Sequence, residues 1–162
     1  VVTRLGLRMF LETAKNIKVV AEAGDGQEAI KLAAEHKPHL ILMDVSMPEL
    51  DGIEAAKILL GKNPEIKIVM MTSSKNENDI FASLAAGVHG YCTKEVSDDR
   101  LLTAISTVMA GDLWLDAGVA GKVLQALPNP QAASEEATEE LSEREREVLS
   151  LIVDGAGNAE IA

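Results

Sequence analysis

The 162-residue sequence predicts an α/β fold built on a doubly wound parallel sheet. Two observations point there. Short β-rich apolar runs alternate with amphipathic stretches of ten to fifteen residues, the pattern of successive βα units. The run Leu40–Asp44 (LILMD) is apolar at consecutive positions before its aspartate, as a strand covered by helices on both faces must be.

The elements follow in order. Val1–Lys15 has the spacing of a helix, and Ile17–Ala23 (IKVVAEA) reads as a strand. Asp25 with Glu28 has capping-box spacing and opens a helix through His36. After the strand Leu40–Asp44, Asp51 with Glu54 repeats that spacing and opens a helix to about Gly61. Lys67–Thr72 (KIVMMT) is the next strand, 77–86 a helix and Gly90–Thr93 (GYCT) a short strand. Ser97, followed by Asp98 and Asp99, starts a helix ending near Ala110, since acids in a first turn favour the helix dipole. A further short helix is expected over 118–126. The stretch 127–140 (LPNPQAASEEATEE) is rich in Pro, Ala and Glu and nearly devoid of large apolar residues, so it reads as a linker. In 141–155, Ser142 with Glu145 caps a last helix, whose apolar stripe is Val148, Leu149, Ile152 and Val153.

Composition narrows the class. Hydrophobic residues at 47% and charged residues at 25% suit a globular chain. No apolar run approaches the roughly 18 to 20 residues that span a bilayer, so no membrane association and a cytoplasmic location are expected. Cys92 is the single cysteine; it lies in an expected strand and reads as a core filler in a reducing compartment. The net charge of -11 argues against a nucleic-acid surface spread over the whole molecule. Nine acids against Arg144 and Arg146 set 131–162 apart from the rest.

Ligand sites of open parallel sheets form at the carboxyl ends of the strands. Those ends place Asp44, Thr72 and Lys94 on one rim, with Tyr91 just before the lysine. Singly, each has a plain structural reading: a turn former, a strand end, a solvated ammonium. Together, a carboxylate, a hydroxyl and an ammonium suit phosphoryl chemistry, with Asp44 as nucleophile and the other two binding the transferred oxygens. Mg²⁺, a cation that takes oxygen ligands, would ordinarily bridge carboxylate and phosphate. Pro48 stiffens the loop crossing the site, Asp51 caps the next helix and Gly52 lets that helix begin close to the backbone.

The motif LMDVSMPELDG, with MMTSS and GYCTKE at the ends of the next two strands, resembles the receiver domain of two-component response regulators. The resemblance implies a flavodoxin-like fold and a phosphoprotein, not an enzyme, whose acceptor is Asp44 and whose donor is a histidine kinase. It further implies Thr72 as the switch hydroxyl, Lys94 as the phosphate-binding lysine and Tyr91 as the aromatic residue that turns inward on activation. Mg²⁺ would be held by Asp44 and the Ser46 backbone carbonyl. Residues 110–116 (AGDLWLD) and 141–162 (LSEREREVLSLIVDGAGNAEIA) resemble the NarL/FixJ (LuxR-type) regulators and the opening of their helix-turn-helix effector domain. The domains are then a receiver over 1–116, a short helix and linker over 117–140, and the beginning of a DNA-binding domain over 141–162.

The sequence departs from that family in two places. The family's first strand and its acidic metal-binding pair precede a helix like the one that opens here, and neither is found in this sequence. That strand would lie between 17–23 and 40–44. About five buried apolar residues contribute on the order of 7 to 15 kcal/mol, comparable with a whole domain's roughly 5 to 15 kcal/mol. The chain is therefore expected to be a piece of a longer protein, with weakened metal affinity and poor cooperativity alone. The recognition helix should follow Ala162, so specific DNA binding is expected of the intact protein only. A homodimer would use the last two βα units or the effector domain. Two alternatives compete: a degenerate receiver that no longer accepts phosphate, and a haloacid-dehalogenase-like phosphatase. The latter places a second aspartate two residues after the first, where this chain has Ser46.

Overall fold

The structure, a computed structural model, describes residues 2–73 and 76–126. The expected linker and helix-turn-helix segment lie outside the described residues. The chain divides into two compact units, Val1–Val123 and Leu124–Ala162, and the sheet belongs to the first. The elements are α1 (Val2–Thr13), α2 (Gly26–His36), β1 (Leu40–Asp44), α3 (Gly52–Lys62), β2 (Lys67–Thr72), α4 (Glu77–Ala85), β3 (Gly90–Thr93), α5 (Asp98–Ala110), β4 (Trp114–Leu115) and α6 (Ala117–Ala126). The four strands are parallel and ordered β1-β2-β3-β4.

Strand side chains alternate between two covered faces. On one, Met43, Ile68, Met70 and Tyr91 pack with Ala55, Ala56 and Leu59 of α3, Ile80 of α4 and Val119 of α6. On the other, Val69, Met71 and Cys92 pack with Leu101 and Val108 of α5, and Leu7 and Phe10 of α1 lie against them. The apolar runs in the sequence are continuous because both sides are buried. Helix starts follow the sequence closely. Asp25 accepts the Glu28 N–H (2.8 Å), while Asp51 accepts those of Ile53 and Glu54 (both 2.9 Å). Ser97 occupies the cap position of α5 without a side-chain bond.

One expected strand is corrected. Ile17–Ala23 belongs to no strand. Its residues still alternate half-buried and exposed, with Val19 and Ala21 inward and Lys18 and Glu22 outward. Among the described residues, however, β1 pairs only with β2, so the segment has no ladder to join. It is tied to α1 instead: Arg8 bonds Glu22 (2.7 Å), and Arg4 donates to the Ala23 carbonyl. The reverse error is Trp114–Leu115, a two-residue strand too short to carry a periodicity, which pairs with Gly90 and Tyr91.

Two expectations about titrating groups follow from the packing. Cys92 is buried, with its thiol against the Met70 carbonyl (3.6 Å), and burial pushes its pKa up to about 12. A thiolate-directed reagent is therefore expected to label Cys92 only when denaturant opens the core, measured as native against unfolded labelling rate. His89 Nδ1 accepts the Ile68 N–H (3.3 Å), which an imidazolium could not do. Burial first, and then the Lys67 charge, holds its pKa below the ordinary value. The unfolded chain thus takes up the proton first, so this stability is present above about pH 6.5 and is lost as pH falls through and below it. The urea midpoint should drop on acidification from pH 7, and His89→Gln should flatten that dependence.

Candidate functional site

The site is built where three strands end together. In register, Asp44 faces Met71, and Thr72 faces Thr93, so successive strand ends step along one rim. Backbone bonds continue the ladder past each end: Val45 N–H to the Met71 carbonyl (2.9 Å) and Lys94 N–H to the Thr72 carbonyl (2.7 Å). Asp44 and Lys94 meet directly, the ammonium on Asp44 Oδ2. The Ser46 N–H donates to the other carboxylate oxygen, Oδ1 (3.1 Å). The side chains are 31% exposed at Asp44 and 27% at Lys94, open to a reactant from solvent. Sequence reasoning singles out the Ser46 carbonyl; the N–H contact is an addition that the short Asp44-Val45-Ser46 spacing permits, since an aspartate readily bonds the amide two residues on.

Thr72 is buried at the end of the neighbouring strand. Tyr91 is not on the rim: its ring lies fully buried within the core face shared by α4 and α6. Burial raises its phenol pKa, opposed by a hydrogen-bonding influence from Thr72. The two hydroxyls are thus neighbours, although the Tyr91 hydroxyl has no partner of normal hydrogen-bond geometry.

The loop from Val45 to Asp51 frames Asp44. Gly52 N–H returns to the Val45 carbonyl (3.0 Å), and Gly26 N–H holds the Leu50 carbonyl (3.2 Å). Glu49 adopts a left-handed conformation (φ 62°), a position no sequence signal marks because glutamate has no preference for it. Among the described residues the rim does not make up a complete metal centre. Mg²⁺ demands about six oxygens in octahedral array, and among the described residues no cluster of three His, Cys, Asp or Glu side chains can hold a metal ion. Among the described residues, Asp44 is the carboxylate paired with Lys94 on that rim. Among the described residues no helix is long and apolar enough to cross a membrane.

The family profile described as "Response regulator receiver domain" matches residues 1–106. The transcriptional regulatory protein LiaR of Bacillus subtilis is 38% identical over 160 residues, covering 98% of this chain and 74% of that protein. The response regulator VraR of Staphylococcus aureus (strain NCTC 8325) is 37% identical over 159 residues, with coverage of 98% and 74%. Among solved structures, a LuxR family two-component response regulator from Aurantimonas sp. SI85-9A1 superimposes with a TM-score of 0.73 at 29% identity, over 76% of this chain and 89% of that one. The response regulator domain of Thermotoga maritima CheB gives 0.61 at 33% identity, over 66% and 87%. Sheet, rim and relatives agree: the chain belongs to the two-component response regulators, with a flavodoxin-like receiver domain, and among them to the LuxR/NarL-type regulators of transcription.

Proposed function

We propose that Asp44 is the phosphoacceptor of this response regulator, that a histidine kinase is the donor, and that residues 141–162 begin the helix-turn-helix domain through which the intact protein binds DNA. The observation that supports this best is the Asp44–Lys94 contact on a rim reachable from solvent. A carboxylate oxygen of Asp44 attacks the phosphorus of a phosphoimidazole. The new P–O bond forms as the P–N bond breaks, and the electron pair returns to the imidazole nitrogen. Lys94 neutralises charge on the transferred oxygens and the Ser46 N–H orients the carboxylate. Thr72, at the next strand end, donates its hydroxyl to the phosphoryl group, and Tyr91 repacks in response.

Receiver domains of this family typically bind Mg²⁺. Asp44 and the Ser46 carbonyl are the donors this chain would contribute, and the described residues do not complete the set. The receiver spans 1–116 and the short helix and linker 117–140. A homodimer is part of the same reading, since the related RcsB is seen as dimers bound to DNA, at 26% identity and a TM-score of 0.70.

The test is incubation with a radiolabelled phosphorylated kinase domain or acetyl phosphate and Mg²⁺, followed by peptide mapping. Base-labile label confined to the peptide containing Asp44 is expected. Label on another residue, or none on a chain that has folded, would overturn the assignment.

A further inference from the structure

The start of α2 is tied to the loop beside Asp44. The first N–H groups of a helix have no partner within it and are met from outside. In α2 a reciprocal cap meets part of that need: Asp25 accepts the Glu28 N–H (2.8 Å), and the Glu28 carboxylate accepts the Gly24 N–H (2.6 Å). The Gly26 N–H is used differently. It donates to the carbonyl of Leu50 (3.2 Å), near the end of the loop that follows β1. Gly26 is buried, and the approach is too close for a side chain. A Cβ there would lie 2.5 Å from the Leu50 carbonyl oxygen, 3.1 Å from its carbonyl carbon and 3.0 Å from the Ala55 Cβ. A Cβ at Gly24, two residues earlier, would meet the flexible ends of side chains, Glu28 Oε2 at 3.3 Å and Arg4 Nη1 at 3.5 Å. Between Leu50 and Asp44 the loop has little slack. The Gly52 N–H holds the Val45 carbonyl (3.0 Å), the Leu50 N–H holds that of Pro48 (2.8 Å), and the Pro48 ring fixes its own φ. At the near end Ser46 donates to Asp44 Oδ1 (3.1 Å).

We infer that Gly26 is a positioning residue for phosphoryl transfer: the start of α2 fixes the Leu50 carbonyl, and through the loop it fixes Ser46, whose N–H orients the Asp44 carboxylate. The inference rests on the proposed role of Asp44. A side chain at position 26 would push the Leu50 carbonyl oxygen from 2.5 Å to at least 3.0 Å, the nearest approach that real Cβ contacts reach. Backbone cannot rotate aside as the end of a side chain does. Either the loop moves, with Pro48 leaving few torsions to absorb the shift before Ser46, or α2 withdraws and the tie to Leu50 is lost. Both routes disturb the Ser46 N–H against the carboxylate. Gly26 thus acts through Leu50 and Ser46, from an element distant in sequence from the acceptor strand.

The test compares Gly26→Ala with Gly24→Ala in the full chain, with acetyl phosphate and Mg²⁺ as donor system. Gly26→Ala is expected to lower the maximal rate of Asp44 labelling on the order of tenfold or more, as a misplacement of about 1 Å does. The half-saturating acetyl phosphate concentration should move by less than about twofold, because orientation of the carboxylate is lost rather than donor binding. The Ser46 amide resonance should shift in Gly26→Ala. Gly24→Ala should keep both the parent rate and the Ser46 resonance, since its contacts are side-chain ends that yield. A parent rate in folded Gly26→Ala overturns the inference, and so does a slow chain whose Ser46 amide has not moved, which makes the loss structural. The unsubstituted chain gives a reading that needs no variant to fold. Beryllofluoride, a phosphoryl mimic, should shift the Gly26 amide once fluorine NMR shows it on Asp44, with the Gly61 amide as the fixed reference. A Gly26 amide that stays in place with the mimic bound overturns the link and leaves the phosphoacceptor role standing. Failure of both acetyl phosphate and beryllofluoride to reach Asp44 counts instead against that role, and the Ser46 resonance in Gly26→Ala then decides the positioning.

Discussion

Asp44→Asn is expected to reduce phosphoryl incorporation on the order of 10³-fold or more while leaving the fold intact. The two effects separate because of what each oxygen does. Asn retains a carbonyl oxygen able to accept the Ser46 N–H, so the turn after β1 keeps its bond. The anionic oxygen that would attack phosphorus is replaced by an amide, whose lone pair is delocalised and whose addition product would be unstable. Lys94 loses its partner, but at 27% exposure its ammonium recovers hydration, and a partly exposed pair is worth about 0 to 1 kcal/mol. The melting temperature should therefore move by no more than roughly 2 to 8 °C. Acetyl-phosphate labelling and a thermal melt on the same preparation check both halves. An Asn variant that labels at the parent rate would place the acceptor elsewhere.

Much of this was readable beforehand, and the reasons are physical. Leu40–Asp44, Lys67–Thr72 and Gly90–Thr93 stand out because helices cover both faces, which forces long apolar runs. A strand end in a parallel sheet is a fixed address, so Asp44 and Lys94 could be paired from the order of elements before any distance was known. What escaped depends on partners rather than on local pattern. Ile17–Ala23 has the alternation of a strand but, among the described residues, no ladder to join, because pairing is a property of two segments and the sequence exhibits one at a time. Trp114–Leu115 is a strand only because Gly90 and Tyr91 lie beside it. Tyr91 stands out in the sequence from its place before Lys94, but its depth beneath α4 and α6 is a packing outcome. Glu49 in the left-handed region follows from closing the loop between Val45 and Gly52, not from any preference of glutamate.

Gly52→Ala is the substitution expected to damage the fold most. A Cβ at this position would lie 1.9 Å from the Asp44 carbonyl oxygen, 2.9 Å from the Asp44 carbonyl carbon and 3.1 Å from the Met43 Cγ. The first two are backbone atoms of β1, which cannot rotate aside as a side chain would. Relief requires α3 to withdraw from the strand end, and that breaks the Gly52 N–H bond to Val45 and drags on the Asp51 cap. Overpacking a rigid contact typically costs about 1 to 3 kcal/mol and occasionally more, and backbone on backbone belongs to the upper end. A loss of about 3 kcal/mol or more is a large share of a typical domain's roughly 5 to 15 kcal/mol. The same withdrawal shifts the peptide that positions Asp44, so phosphoryl transfer should fall along with stability. Gly61 supplies the control within the same helix. Nothing lies within 4 Å of a Cβ built there, so Gly61→Ala should be neutral or stabilise by up to about 1 kcal/mol through helix propensity. Urea titrations of the two variants decide the matter. Equal midpoints would mean that the approach of α3 to Asp44 is slack, and that the glycine is not what lets the helix start against the acceptor strand.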